Sequence, residues 1–156
     1  PTDQRAIEYF RPVERLINEM KDKIDLEIIK NTTKYQDIYL TGDVLVMPRK
    51  YGGLCMPANE AIACGIPTIM TDISPNEWLP KEWLCEAQLE RKFIAHTEIE
   101  VFSANVQSLF YTMEQFLNKD FIIEAHHKAL SLAQEISWDI WTEKYLDFIN
   151  AMLCKR

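Results

Sequence analysis

The stretch Asp43–Asp72, DVLVMPRKYGGLCMPANEAIACGIPTIMTD, restricts the fold more than any other part of the chain. An apolar strand runs into a basic turn holding two glycines. A helix with one carboxylate follows, then a Gly-Ile-Pro turn and a second apolar strand. Neither strand alternates apolar with polar residues, which is the pattern of strands covered by helices on both faces. A strand, a helix and a strand in this order form the unit of a parallel α/β sheet, and the turn from first strand to helix is where such folds place an anionic ligand.

Apolar residues Phe10, Val13, Leu16, Ile17 and Met20 recur at helical spacing over 4–22, where Pro12 should sit in a first turn or kink the helix. A strand is predicted at 24–29, a short helix at 33–41, a strand at 43–48, a helix at 56–64 and a strand at 67–71. Pro57 stands early in the 56–64 helix, where its missing N–H costs nothing, and Gly65 stops it. Residues 83–103 contain strand-like pieces and read as a hairpin or an irregular excursion. Helices are predicted over 104–117, 119–136 and 138–153, the last capped by Ser137. Leu109, Met113, Phe116, Ile122, Ile123, Ala129, Leu130 and Leu132 are core candidates, and Trp78, Trp83, Trp138 and Trp141 read as packing residues. The connections through residue 72 are too long for hairpins, so the sheet should be parallel. Residues 48–55 and 72–78 then line one crevice at the strand carboxyl ends.

The chain of 156 residues is read as one domain, 1–156, with C-terminal helices over 104–153, able to bury roughly 70% of its unfolded surface. A formal net charge of −7 argues against a duplex nucleic-acid partner, which needs a basic face. Cys55, Cys64, Cys85 and Cys154 show no CxxC spacing and the three histidines no zinc pattern, so no metal is expected and the cysteines read as reduced thiols of a cytoplasmic protein. No apolar run is long enough to span a membrane and no signal peptide opens the chain. Pro1-Thr2-Asp3 leads almost directly into a helix, as if the chain were cut inside a larger protein.

In the turn Arg49-Lys50-Tyr51-Gly52-Gly53-Leu54-Cys55, the glycines allow positive φ and close approach of a ligand to the backbone. Unpaired amides of the first helical turn, with the positive end of the dipole, suit a phosphate or pyrophosphate, and Arg49 and Lys50 add charge. Glu60, about one turn further, suits the two hydroxyls of a ribose. The plainer reading is a tight turn, a solvated Arg-Lys pair and an exposed glutamate. Asp72, Ser74, Asn76 and Glu77 follow the second strand at the crevice edge, as candidate sugar or base contacts or as turn residues. Tyr51 could stack on a ligand or serve the strand end.

The run YGGLCMPANEAIACGIPTIMTD resembles the C-terminal, donor-binding domain of GT-B-fold glycosyltransferases of the group 1 (family 4) type. Their pattern is a glutamate, seven residues, then Glu-Ala-x-Ala-x-Gly-x-Pro. Glu60-Ala61-Ile62-Ala63-Cys64-Gly65-Ile66-Pro67 matches the second half position for position, with Pro57 at the usual upstream proline. DVLVMPR and the closing SWDIWTEKYLDF are similar to the family more weakly. The resemblance implies a Rossmann-like parallel sheet flanked by helices, the C-terminal half of a GT-B fold truncated at its N-terminus. It implies transfer of a hexosyl group from a nucleoside-diphosphate sugar, with retention, to a glycan or lipid-linked acceptor held by an N-terminal domain, as in polysaccharide assembly. Membrane association, where the acceptor is a lipid, would reside in that domain. The resemblance gives Glu60 the nucleotide ribose and the amides from Gly53 through Leu54 and Cys55 to Met56 the diphosphate, with no metal ion and no cofactor. The pattern's first glutamate falls at position 52, where this chain has Gly52, so the contact to the donor hexose is the point of departure. The isolated chain is expected to bind donor weakly at best and not to turn over. The alternatives are a non-catalytic, degenerate transferase module for ligand sensing or protein interaction, and a same-fold nucleotide-sugar epimerase.

Overall fold

A computed structural model of the chain describes residues 4–25, 27 and 34–154. It divides into two compact units, Pro1–Tyr35 and Gln36–Arg156. In the first unit, helix α1 spans Gln4–Met20 and continues through Pro12, which therefore lies in its interior rather than in a first turn. Val13 and Leu16 on this helix are exposed. Of the strand predicted at 24–29, residues 26, 28 and 29 lie outside the described ones, and residues 24, 25 and 27 are not in a strand.

The second unit is built on a three-stranded parallel sheet of β1 (Leu45–Val46), β2 (Thr68–Thr71) and β3 (Leu84–Cys85), in the order β1-β2-β3. Leu45 pairs with Thr68 and Met70 with Leu84. Amide bonds from Leu45 to the Pro67 carbonyl (3.0 Å) and from Met47 to that of Ile69 (2.9 Å) carry the pairing past the short β1. Every residue of β2 is buried, as the unbroken apolar run demands of a central strand with both faces covered. The fold is a Rossmann-like α/β domain. The segment predicted as a helix over 33–41 is a 3-10 turn, Tyr35–Tyr39.

Between β1 and β2 runs helix α2, Met56–Ala63, with Pro57 in its first turn. Its end forms a Schellman motif: the Gly65 amide donates to the Ile62 carbonyl (2.9 Å) and the Ile66 amide to that of Ala61 (2.8 Å). Gly65 takes φ +76° there. The small side chain of Ala58 lets α2 lie close to helix α4, Lys119–Glu135, where Ala125 and Ala129 join Ala58 and Ile62 in one buried cluster. His126 of α4 adds a tie through Nδ1, 2.7 Å from the Gly65 carbonyl oxygen.

Residues 83–103 resolve into two things. Leu84–Cys85 is the third parallel strand, and β4 (Ala87–Ile94) with β5 (Glu98–Ala104) forms a separate antiparallel hairpin, bulged between Leu89 and Arg91. Helix α3, Val106–Gln115, and α4 are each capped by an asparagine, Asn105 and Asn118, whose side-chain oxygens accept two amides apiece. Helix α5, Trp138–Leu153, departs from expectation in two respects. Ser137 precedes it without a side-chain capping bond, and no residue of the helix is buried. Trp138 and Trp141, read from spacing as packing residues, are exposed, as are Met113, Ile123 and Leu130. Periodicity marks which side of a helix is apolar, and nothing among the described residues covers that side of α5.

Candidate functional site

The site is assembled where β1 and β2 end. Thr71, fully buried at the end of β2, links the two strands: its hydroxyl donates to the Arg49 carbonyl (2.9 Å) and accepts from the Arg49 amide (3.2 Å). Replacing Thr71 by valine removes both bonds and leaves the Arg49 amide without its acceptor. The expected loss is about 1–2 kcal/mol in denaturant unfolding, and an unchanged midpoint would contradict the latch.

Beyond this latch the turn is braced from within. Arg49 Nη1 donates to the Gly53 carbonyl at 2.7 Å, so the guanidinium holds the turn closed. Gly53 has φ +121°, a conformation suited to glycine. The hairpin is attached at the same place, with the Phe102 amide donating to the Lys50 carbonyl at 2.6 Å, while the Lys50 side chain is exposed. Gly52 approaches the loop after β2 so closely that an added Cβ would lie 2.2 Å from the Ser74 carbonyl oxygen.

The amides of Gly53, Leu54, Cys55 and Met56 donate to no backbone carbonyl among the described residues. The helix itself offers less than the sequence suggests. Pro57 has no N–H, and the Ala58 and Asn59 amides both reach back to the Cys55 carbonyl, at 3.1 and 3.2 Å. The amides open to an anion are therefore those of the turn and of Met56, together with the positive end of the α2 dipole. Cys55 is half-buried, with Sγ 3.4 Å from the Met47 sulfur. Cys85 is fully buried within β3, and that burial pushes its thiol pKa up, which favours the neutral thiol.

Glu60 is half-buried and accepts a hydrogen bond from the Tyr39 hydroxyl at 2.5 Å. No spacing in the sequence pointed to Tyr39, which lies 21 residues upstream in a segment with no apolar pattern. With Leu54, Met56 and Asn59, Glu60 lines an open cavity of about 700 Å³, which Trp138, Trp141 and Tyr145 of α5 also line. A second cavity of about 440 Å³ is lined by Tyr51, Gly52 and Ser74 together with Glu98, Glu100 and Phe102 of the hairpin. Both carboxylates pair with Lys92, Glu98 at 3.0 Å and Glu100 at 2.6 Å, and these bonds, Glu100 first, push the Lys92 pKa up to about 12.

The structure thus divides the residues singled out in the sequence. Glu60, Leu54 and Met56 face one cavity; Tyr51, Gly52 and Ser74 face the other. Arg49, Lys50, Gly53 and Cys55 form the turn beside them. Asp72 makes an ion pair with Lys81 at 2.5 Å, and Asn76, 2% exposed, donates from Nδ2 to the Thr71 carbonyl at 2.8 Å, so both hold the loop in place. Glu77 is exposed. Among the described residues no helix is long and apolar enough to cross a membrane.

A Rossmann-like sheet, a glycine turn after β1 and a carboxylate on the following helix that lines a cavity together define an α/β domain of the kind that places small ligands at its strand ends. The family model for glycosyl transferases group 1 matches residues 7–120, and the chain belongs to that family. No curated protein and no solved structure matches it.

Proposed function

We propose that this chain is the donor-binding domain of a retaining, GT-B-type glycosyltransferase of family 4, taking a nucleoside-diphosphate sugar for hexosyl transfer in glycan or polysaccharide assembly. The observation that carries the reading is that Glu60 faces the same cavity as Leu54 and Met56, whose amides, with those of Gly53 and Cys55, have no backbone acceptor among the described residues. In this reading the nucleoside occupies the larger cavity, with its ribose on Glu60. The diphosphate lies along the turn from Gly53 to Met56, and the sugar points toward Gly52, Tyr51 and Ser74. Tyr39 holds the Glu60 carboxylate in position, since an ionised carboxylate accepts several hydrogen bonds at once.

As the leaving diphosphate gains charge in the transition state, fixed amides and the α2 dipole stabilise it without reorganising. The exposed Lys50 is the second basic residue of the turn and, unlike Arg49, is not committed to bracing it. No cofactor and no metal enter the scheme. Hexosyl transfer is proposed for the full-length parent, in the cytoplasm, with a second domain presenting a glycan or lipid-linked acceptor.

Calorimetric titration of the chain with UDP, GDP and ADP tests the reading. One of the three should bind, and Glu60→Ala should weaken it by about tenfold or more while circular dichroism shows the fold intact, because charge-assisted bonds are lost. Absence of affinity for all three would favour the second reading, a non-catalytic module, which Gly52 at the position of the pattern's first glutamate supports.

A further inference from the structure

We infer that Trp138 and Trp141 of α5 form the stacking platform for the base of the bound nucleotide. The inference rests on the nucleotide-sugar reading of Glu60 and extends it to a helix that the sequence pattern assigns no role in binding. Trp138 is 76% exposed and Trp141 41% exposed, and α5 contributes no buried residue, so neither indole is explained by packing within the described unit. Both indoles line the cavity that Glu60 and Met56 also line.

The composition of that cavity fits a nucleoside. Its walls are mainly apolar and aromatic, with Glu60 and Asn59 as the polar groups contributed by α2, and about 700 Å³ lies within the usual range of small-molecule sites. A ribose held by Glu60 carries its base some ångströms away, attached to one ring carbon. A planar π-face in the same lining suits the base in a way an aliphatic or charged side chain would not. Stacking is tolerant of base identity, because every base has a π-face, so the platform supplies affinity and leaves base selectivity to other groups.

Trp141 is also held in place. The Lys144 ammonium lies 4.7 Å from its ring centroid, over one face, and Tyr145 stands beside it at 6.1 Å with a 45° tilt. A stacked base therefore takes the face of Trp141 opposite Lys144. The cation and the neighbouring ring limit the indole's rotamers before any ligand arrives, which lowers the ordering cost of binding.

The test uses the 156-residue chain and two kinds of probe: the nucleoside diphosphates UDP, ADP and GDP, and inorganic pyrophosphate, which lacks a base. Trp138→Leu and Trp141→Leu alter exposed positions, so both variants should fold, as far-ultraviolet circular dichroism will report. The expected result is a loss of about tenfold or more in affinity for the nucleoside diphosphate that the wild type binds, with pyrophosphate affinity unchanged. In the wild type, the indole N–H resonances of Trp138 and Trp141 should move on adding that nucleotide and stay still with pyrophosphate. If the nucleotide binds wild type and both variants equally and the indole signals do not move, the platform is overturned while the role of Glu60 stands. If the wild type binds no nucleotide at all, the platform falls together with the reading on which it rests.

Discussion

Replacing Trp83 by alanine should lower the stability of the Gln36–Arg156 unit by about 3–5 kcal/mol, the largest effect expected of any single substitution here. Trp83 is 1% exposed and heads the fully buried side chains by volume. It ends a short 3-10 turn, Lys81–Trp83, and leads directly into β3, so its ring is anchored at the start of the third strand. There it belongs to the cluster that joins Met70 of β2, Leu79, Phe116 after α3, and Ala125 and Ala129 of α4. Truncation removes the transfer free energy of an indole and leaves a cavity bounded by a central strand and helices that cannot both collapse into it. A domain of this size has about 5–15 kcal/mol in total, so roughly a fifth of the stability or more would go. Chemical denaturation monitored by circular dichroism measures it. A loss under about 1 kcal/mol would mean that the cluster repacks freely, contrary to the close packing described.

Gly52→Glu installs the residue that the resemblance leads one to expect, and it should harm the protein rather than repair it. A Cβ at position 52 would lie 2.2 Å from the Ser74 carbonyl oxygen, 3.2 Å from the Ser74 carbonyl carbon and 3.3 Å from the Pro75 ring. The nearest of these is backbone, in a loop anchored by the buried Asn76, so it cannot swing aside as a side-chain tip would. Relief requires the turn and the loop to separate, at a cost of about 1–3 kcal/mol. The second cavity, which these two segments wall together with the hairpin, would change shape at the same time. The expected outcome is a lower denaturation midpoint with no gain in affinity for a nucleoside-diphosphate sugar. A variant as stable as wild type, with tighter donor binding, would show that Gly52 is a simple loss of function and that the close approach is not required.

That glycine illustrates what the sequence could and could not reveal. Read along the chain, Gly52 was a departure from a pattern, and the steric reason for it comes from a carbonyl 22 residues later that no local rule connects to it. By contrast, the unit from β1 through α2 to β2 was legible because its causes are local: apolar runs without alternation, Pro57 in a first turn and Gly65 at a helix end. The hairpin was legible only as one of two alternatives, a hairpin or an irregular excursion, and the adjoining β3 was not, because two residues of strand carry no period. Helix α5 was placed correctly, but the fate of its apolar side depends on partners, which spacing does not report. The candidate site shows the same division. Sequence order gathered residues 49–60 into one group, whereas the backbone sends Tyr51 and Gly52 to one cavity and Leu54, Met56 and Glu60 to another. The Thr71 latch and the Tyr39 bond to Glu60 join residues 22 and 21 positions apart, and nothing short of the fold brings them together.

The most direct test of the account is amide chemical-shift mapping of the isotopically labelled chain during titration with the nucleoside diphosphate that it binds. The largest changes are expected on the Gly53, Leu54, Cys55 and Met56 amides, with smaller ones around Glu60, while amides already bonded to a backbone carbonyl, such as those of Ala58 and Asn59, move little. Shifts that leave the four turn amides untouched, or that cluster on a surface remote from Glu60, would contradict it.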